Sequence, residues 1–75
     1  MDCMKFAIQE VENLIDGEIF LVKDLFKGYE WNRLSIGDRR SLGLLFLQEV
    51  KYGGLKGCIE VGLKSSANQQ QYIKR

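Results

Sequence analysis

The sequence predicts a small α+β fold, a winged helix-turn-helix in which three helices pack on a three-stranded antiparallel sheet. Apolar residues recur at helical spacing near the N-terminus and again across residues 36–52. A short apolar run, EIFLV, lies between them and suits a strand. The C-terminal residues alternate between apolar and polar and reverse through a polar turn, as in a β-hairpin. With 75 residues, the chain is predicted to form one domain, residues 1–75, around a single core.

The N-terminal residues predict an amphipathic helix over 2–16 that is followed by the first strand. The apolar positions that recur at helical spacing are Met4, Ile8, Val11 and Ile15. Gly17 stands where a glycine commonly ends a helix. The run EIFLV, residues 18–22, is then predicted as a strand because it is aliphatic and aromatic.

The segment KDLFKG is predicted to form a short helix of about two turns, with Gly28 ending it. The next residues, YEWNRLS, are predicted to connect it to the central helix, and Trp31 among them is expected to anchor the core. A connection of seven residues is longer than the turn of 3–4 residues that is typical of a helix-turn-helix.

The longest predicted helix spans residues 36–52. Ser35 is suited to accept hydrogen bonds at its N-terminus, and Asp38 places an acid in the first turn. Large apolar residues surround most of its circumference, which predicts a central, buried helix. Gly43 within it predicts the close approach of another backbone.

The C-terminal residues predict the hairpin that would form the wing. Ile59, Val61 and Leu63 are expected to share one face of the first strand. The residues KSSAN are suited to a turn, and QQYIKR is predicted to return as the second strand.

Composition argues against an enzyme and predicts no cofactor or metal. The chain has no histidine, so it lacks the residue that most often serves as a general base or a zinc ligand. Its two cysteines, Cys3 and Cys58, lie too far apart for a metal-binding motif and are expected to be reduced thiols. No long apolar run or signal peptide is present, which predicts a cytoplasmic protein without a membrane segment.

Charge is distributed unevenly along the chain and predicts a DNA-binding surface in its second half. Residues 1–32 carry three basic and seven acidic side chains, whereas residues 33–75 carry eight basic and three acidic ones. Cations for phosphates and amides for base edges are what DNA recognition requires, and a double-stranded target is expected. The predicted contact residues are Arg39, Arg40, Lys51, Lys64, Asn68, Gln69, Lys74 and Arg75.

A second interpretation remains open, in which the chain binds a protein or a second copy of itself. The acidic residues of the first helix, Glu10, Glu12 and Asp16, would then form the contact face. A third interpretation is a structural domain with no partner surface of its own.

The blocks GEIFLVKDLFKGYEWNRL, RRSLGLLFLQEV and NQQQYIKR resemble a family of short uncharacterised proteins, a domain of unknown function, from Gram-positive bacteria and their phages. The resemblance covers residues 17–75. It implies a winged-helix-like domain that binds DNA or, in a phage, binds and inhibits a host enzyme. The matching positions are mostly of core type, so they bear on the fold more than on the function. These positions are Asp24, Leu25, Phe26, Trp31, Leu42, Gly43, Phe46, Val50 and Tyr72.

Overall fold

A computed structural model describes residues 3–66 and 69–75 of the chain. The helices are α1 (Cys3–Val11), α2 (Gly28–Asn32) and α3 (Ile36–Tyr52), and a 3₁₀ turn occupies Val22–Leu25. The strands are β1 (Ile19–Phe20), β2 (Ile59–Lys64) and β3 (Gln70–Lys74). Within the described residues, the predicted α+β class is confirmed, and its three helices and three-stranded antiparallel sheet are compatible with a winged helix.

The sheet has the strand order β1-β3-β2, so the C-terminal strand lies at its centre. Phe20 of β1 pairs with Tyr72, and Ile59 of β2 pairs with Lys74. β3 therefore runs from Gln70, beside the hairpin turn, to Lys74, beside the start of β1. The β2–β3 hairpin is called the wing below.

The core lies between the sheet and one face of α3. Phe46 of α3 is fully buried, and its ring meets those of Tyr72 and Phe20 edge-on, with centroids 5.0 and 6.2 Å apart. Edge-to-face contacts of this kind add to the stabilisation that burial of the rings provides. The other buried apolar residues are Ala7, Val11, Val22, Leu25, Phe26, Leu42, Val50, Leu55 and Ile59.

The first helix is shorter than predicted, because the chain tightens after Val11. The amides of Glu12, Asn13 and Leu14 each donate to the carbonyl three residues earlier, rather than four. Gly17 then takes a positive φ of 91° in the turn that leads to β1. Ile15, which was expected on the apolar stripe, is consequently 72% exposed.

The second predicted helix is divided into two elements. Its first residues form only the 3₁₀ turn, in which the Asp24 carboxylate accepts a hydrogen bond from the Leu21 amide at 2.9 Å. The prediction that Gly28 ends a helix was wrong, since Gly28 is the first residue of α2. The Glu30 carboxylate fixes this start by accepting from the Lys27 amide at 2.9 Å.

The presence of α2 shortens the connection to α3 to residues 33–35. This length is typical of a helix-turn-helix, so the longer spacing expected from the sequence does not occur. α3 has the predicted bounds, and the Ser35 hydroxyl accepts a hydrogen bond from the Asp38 amide at 3.1 Å, as its position predicts.

α3 buries one face only, which corrects the prediction of a helix buried on most sides. Leu42, Phe46 and Val50 recur every four residues and form the buried stripe. Leu44 and Leu45 remain 58% and 48% exposed, because the sheet covers a single side of the helix. Leu44 thereby becomes available to line a surface groove.

The wing contains an irregularity that redirects Leu63. Val61 pairs with Tyr72, but Lys64 pairs with Gln70, so β2 has one residue more than β3 over this stretch. The alternation of side chains is interrupted there, and Leu63 is 84% exposed instead of facing the core with Ile59.

Gly43 has a different environment from the one predicted. A Cβ atom built at this position meets no atom within 4 Å, so no neighbouring backbone requires glycine there. We expect Gly43→Ala to raise the free energy of unfolding by about 1 kcal/mol, the difference in helix propensity. Urea denaturation measures this change. Gly62→Ala is the contrasting control, because its Cβ would lie 3.3 Å from the Gln71 carbonyl oxygen. Destabilisation by Gly43→Ala would contradict the expectation that α3 has room for a side chain at this position.

Candidate nucleic-acid interface

A groove of about 610 Å³ lies between the first half of α3, the start of the 3₁₀ turn and the base of the wing. This volume falls within the range of roughly 300–1,000 Å³ that is usual for ligand sites. We call it the basic groove. Its lining residues are Leu21, Val22, Lys23, Trp31, Ile36, Arg39, Arg40, Gly43, Leu44, Leu47, Lys64, Gln69, Gln70 and Tyr72.

The rim of the basic groove carries four cations, Lys23, Arg39, Arg40 and Lys64. They come from the 3₁₀ turn, from α3 and from β2, so only the folded chain brings them together. None of the described residues that line the groove carries a carboxylate. The groove is therefore a region of positive potential that favours anions.

Arg39 is held in a defined position on this rim. Its Nε donates a hydrogen bond to the Trp31 carbonyl oxygen at 3.2 Å, and its guanidinium lies 5.6 Å from the centre of the Trp31 ring. Trp31 in turn packs on Phe26, with the ring centroids 5.9 Å apart. Trp31, predicted as a core anchor, is half-buried against the core, and it also orients an arginine whose other N–H groups can meet a ligand.

The floor of the groove is mainly apolar. Ile36 and Leu44 lie about two helical turns apart on α3 and both line the groove. Their side chains are 67% and 58% exposed. Tyr72, which is buried, also lines the groove, and burial raises the pKa of its phenol above the usual value of 10.0. The phenol is therefore neutral at physiological pH, and positive charge is confined to the rim.

The wing contributes Lys64 and Gln69, and internal hydrogen bonds hold this part of it in place. The Gln70 side-chain amide donates to the carbonyl oxygens of Gly62 and Gln71, at 2.5 and 3.0 Å, which ties the two strands together at the irregularity. The Ser65 amide donates to the Gln69 carbonyl at 2.7 Å. Asn68, also predicted to contact DNA, lies outside the described residues.

Three other residues of the predicted DNA surface do not line the basic groove. Lys51 is exposed in the last turn of α3. The Lys74 ammonium lies 3.8 Å from the Asp16 carboxylate, and the Arg75 guanidinium forms an ion pair with Glu60. Lys74 and Arg75 thus lie at the opposite end of β3 from the groove, where local carboxylates offset their charge.

The acidic residues predicted as a protein-binding face lie at and after the end of α1. The Glu10 carboxylate accepts a hydrogen bond from the Asn13 side chain at 2.8 Å, and Glu12 is exposed. Asp16, 83% exposed, follows in the turn before β1. Asp16 lies at the same end of the molecule as Lys74.

Lys23, Ile36 and Leu44 belong to the groove but were not predicted as site residues. Lys23 was assigned to a helix with no link to the wing, because only the tertiary packing brings it near Lys64. Exposure of Leu44 could have been anticipated from its position off the Leu42–Phe46–Val50 stripe.

Residues 3–66 and 69–75 contain neither a candidate metal site nor a membrane-spanning helix. No group of three or more histidine, cysteine or acidic residues is arranged to hold a metal ion in this part of the chain. Cys3 is half-buried, Cys58 is exposed, and they do not pair with each other. No helix in the described ranges has the length and apolar character needed to cross a membrane.

The fold is that of a small α+β protein, and it is compatible with a winged helix. The chain matches the family described as "Domain of unknown function (DUF1413)" over residues 5–74, and it belongs to that family. The expected membership of a family of unknown function is thus confirmed. That the family occurs in Gram-positive bacteria and their phages stays a prediction. No match was found among curated proteins or among solved structures.

Proposed function

We propose that this protein is a non-enzymatic DNA-binding protein, a small transcriptional regulator or phage accessory protein, and that the basic groove is its DNA interface. One observation carries the proposal. Lys23, Arg39, Arg40 and Lys64 are distant in sequence, yet they converge on one groove whose described lining has no carboxylate. Cations that neutralise phosphates supply most of the affinity of proteins for duplex DNA.

The arrangement of α3 and the wing supports a duplex rather than a small anion. In a helix-turn-helix, the second helix presents its N-terminal residues to the DNA. Here Arg39 and Arg40 occupy the second turn of α3, and Lys64 and Gln69 face them from the wing. A phosphate backbone that follows the groove would meet both elements, with the arginines on one side and Lys64 on the other.

The apolar floor is suited to the remaining surface of a nucleotide. Ile36 and Leu44 are exposed between the cations, where they can contact a deoxyribose or the methyl group of thymine. Gln69 offers an amide to base edges or to the backbone. The cations therefore supply affinity, and the neutral residues supply the contacts that depend on sequence.

Fluorescence anisotropy of a labelled random duplex, titrated with the protein at several salt concentrations, tests this proposal. We expect the logarithm of the association constant to fall linearly with the logarithm of salt concentration. The slope should be about −3.6 if each of the four rim cations neutralises one phosphate. No binding at low ionic strength, or binding that does not depend on salt, would contradict the proposal.

A further inference from the structure

Residues 10–19 form an acidic segment, most of which is exposed. It contains Glu10, Glu12, Asp16 and Glu18 and no basic residue. It also leaves two aliphatic side chains in solvent, Ile15 at 72% and Ile19 at 64% exposure. Carboxylates next to exposed isoleucines are the chemical complement of a groove with a cationic rim and an apolar floor.

Asp16 of the acidic segment and Lys64 of the basic groove lie at opposite ends of β3. The Gly17 amide donates to the Lys74 carbonyl at 2.7 Å, and the Lys74 amide donates to the Glu18 carbonyl at 2.9 Å, so the segment adjoins the end of β3. The groove adjoins the start of β3, at Gln70. Four residues of strand separate these ends by about 13 Å. Asp16, which contacts Lys74, therefore lies away from the groove cations of its own molecule, whereas Ile19 lies two residues before Leu21 of the groove lining.

We infer that the basic groove of one molecule binds the acidic segment of a second copy. Arg40 and Lys64 would meet Glu12 and Asp16, while Ile15 would enter the space above Leu44. The groove, at about 610 Å³, is large enough for an aliphatic side chain to enter. Asp16 is available because its side chain is 83% exposed and its contact with Lys74 is long, at 3.8 Å.

The contact would be head-to-tail, because each molecule uses two different surfaces. Contacts of this kind form rings if the rotation closes and open chains if it does not. The assembly should grow with protein concentration and weaken with salt, since its charged contacts are exposed to solvent. The inference uses the same groove as the proposed function, but it does not require that the protein bind DNA.

Analytical ultracentrifugation at low ionic strength tests the inference with two complementary variants. The groove variant, Arg40→Gln/Lys64→Gln, keeps the acidic segment intact. The segment variant, Glu12→Gln/Ile15→Ser/Asp16→Asn, keeps the groove intact. All five positions are exposed, so we expect both variants to retain the wild-type circular dichroism spectrum.

We expect wild-type protein to associate beyond a monomer as its concentration rises, and each variant alone to stay monomeric. An equimolar mixture of the two variants should form a 1:1 heterodimer and nothing larger, because it contains one intact groove and one intact segment per pair. A wild-type protein that remains monomeric, a variant that still associates alone, or a mixture that does not pair would overturn the inference.

Duplex binding by the same proteins separates this inference from the proposed function. The segment variant should bind a labelled duplex at least as well as wild type, because its groove is unchanged. Head-to-tail pairing without duplex binding would overturn the proposed function and leave the inference standing. Duplex binding by a protein that stays monomeric would overturn the inference and leave the proposed function standing.

Discussion

Phe46→Ala is expected to lower the free energy of unfolding by about 3–5 kcal/mol, as is usual for removing a buried phenylalanine. Phe46 is fully buried and contacts the rings of Phe20 and Tyr72, so the truncation would leave a cavity where α3 meets the sheet. A chain of this length is stabilised by only about 4–11 kcal/mol in total. The variant should therefore lose a large share of this stability, which circular dichroism during urea denaturation measures.

Tyr52→Ala is the matched control, since Tyr52 lies in the same helix but is 81% exposed. We expect it to change the free energy of unfolding by less than about 0.5 kcal/mol. Equal effects of the two substitutions would mean that α3 does not pack on the sheet through the Leu42–Phe46–Val50 stripe.

The groove variant, Arg40→Gln/Lys64→Gln, is expected to lose most of its affinity for duplex DNA. A hydrogen bond to a charged group contributes about 1.5 kcal/mol or more, and about 1.4 kcal/mol corresponds to a factor of ten. Removal of two such contacts should therefore weaken binding roughly a hundredfold. The salt slope should also become shallower by about 2, one for each lost phosphate contact. Fluorescence anisotropy at several salt concentrations measures both quantities.

Lys51→Gln/Lys56→Gln is the control for net charge. It removes the same two charges from exposed positions that do not line the groove. We expect it to weaken duplex binding only slightly, through the longer-range field of the protein. If both double variants lost affinity equally, binding would depend on net charge and not on the basic groove.

The elements with strong local signals were predicted well from the sequence. Ser35 and Asp38 mark the start of α3, and glycines follow its last residue, so its bounds were correct. The wing was recognisable from its polar turn and its alternating strand. The division of KDLFKGYEW into a 3₁₀ turn and α2 was missed, because the signals are two carboxylates, Asp24 and Glu30, that accept hydrogen bonds from amides three residues earlier.

The candidate site was predictable in part, because cations can be counted in a sequence but their partners cannot. Arg39, Arg40, Lys64 and Gln69 were predicted to act together, and they line one groove. Lys74 and Arg75 looked equivalent to them in the sequence. In the structure, Lys74 meets Asp16, which is far away in the sequence, and Arg75 meets Glu60 on the neighbouring strand. The exposure of Leu63 depends on an extra residue in β2 that the alternation of side chains did not reveal.

The most direct test of the central claim is an NMR titration of ¹⁵N-labelled protein with a short duplex. We predict that the amide signals that shift belong to the basic groove, in particular to Lys23, Arg40, Leu44, Lys64 and Gln69. Signals from the last turn of α3, around Lys51, should stay in place. Shifts that cluster outside the groove, or no shifts at low ionic strength, would contradict the assignment of this groove as a DNA interface.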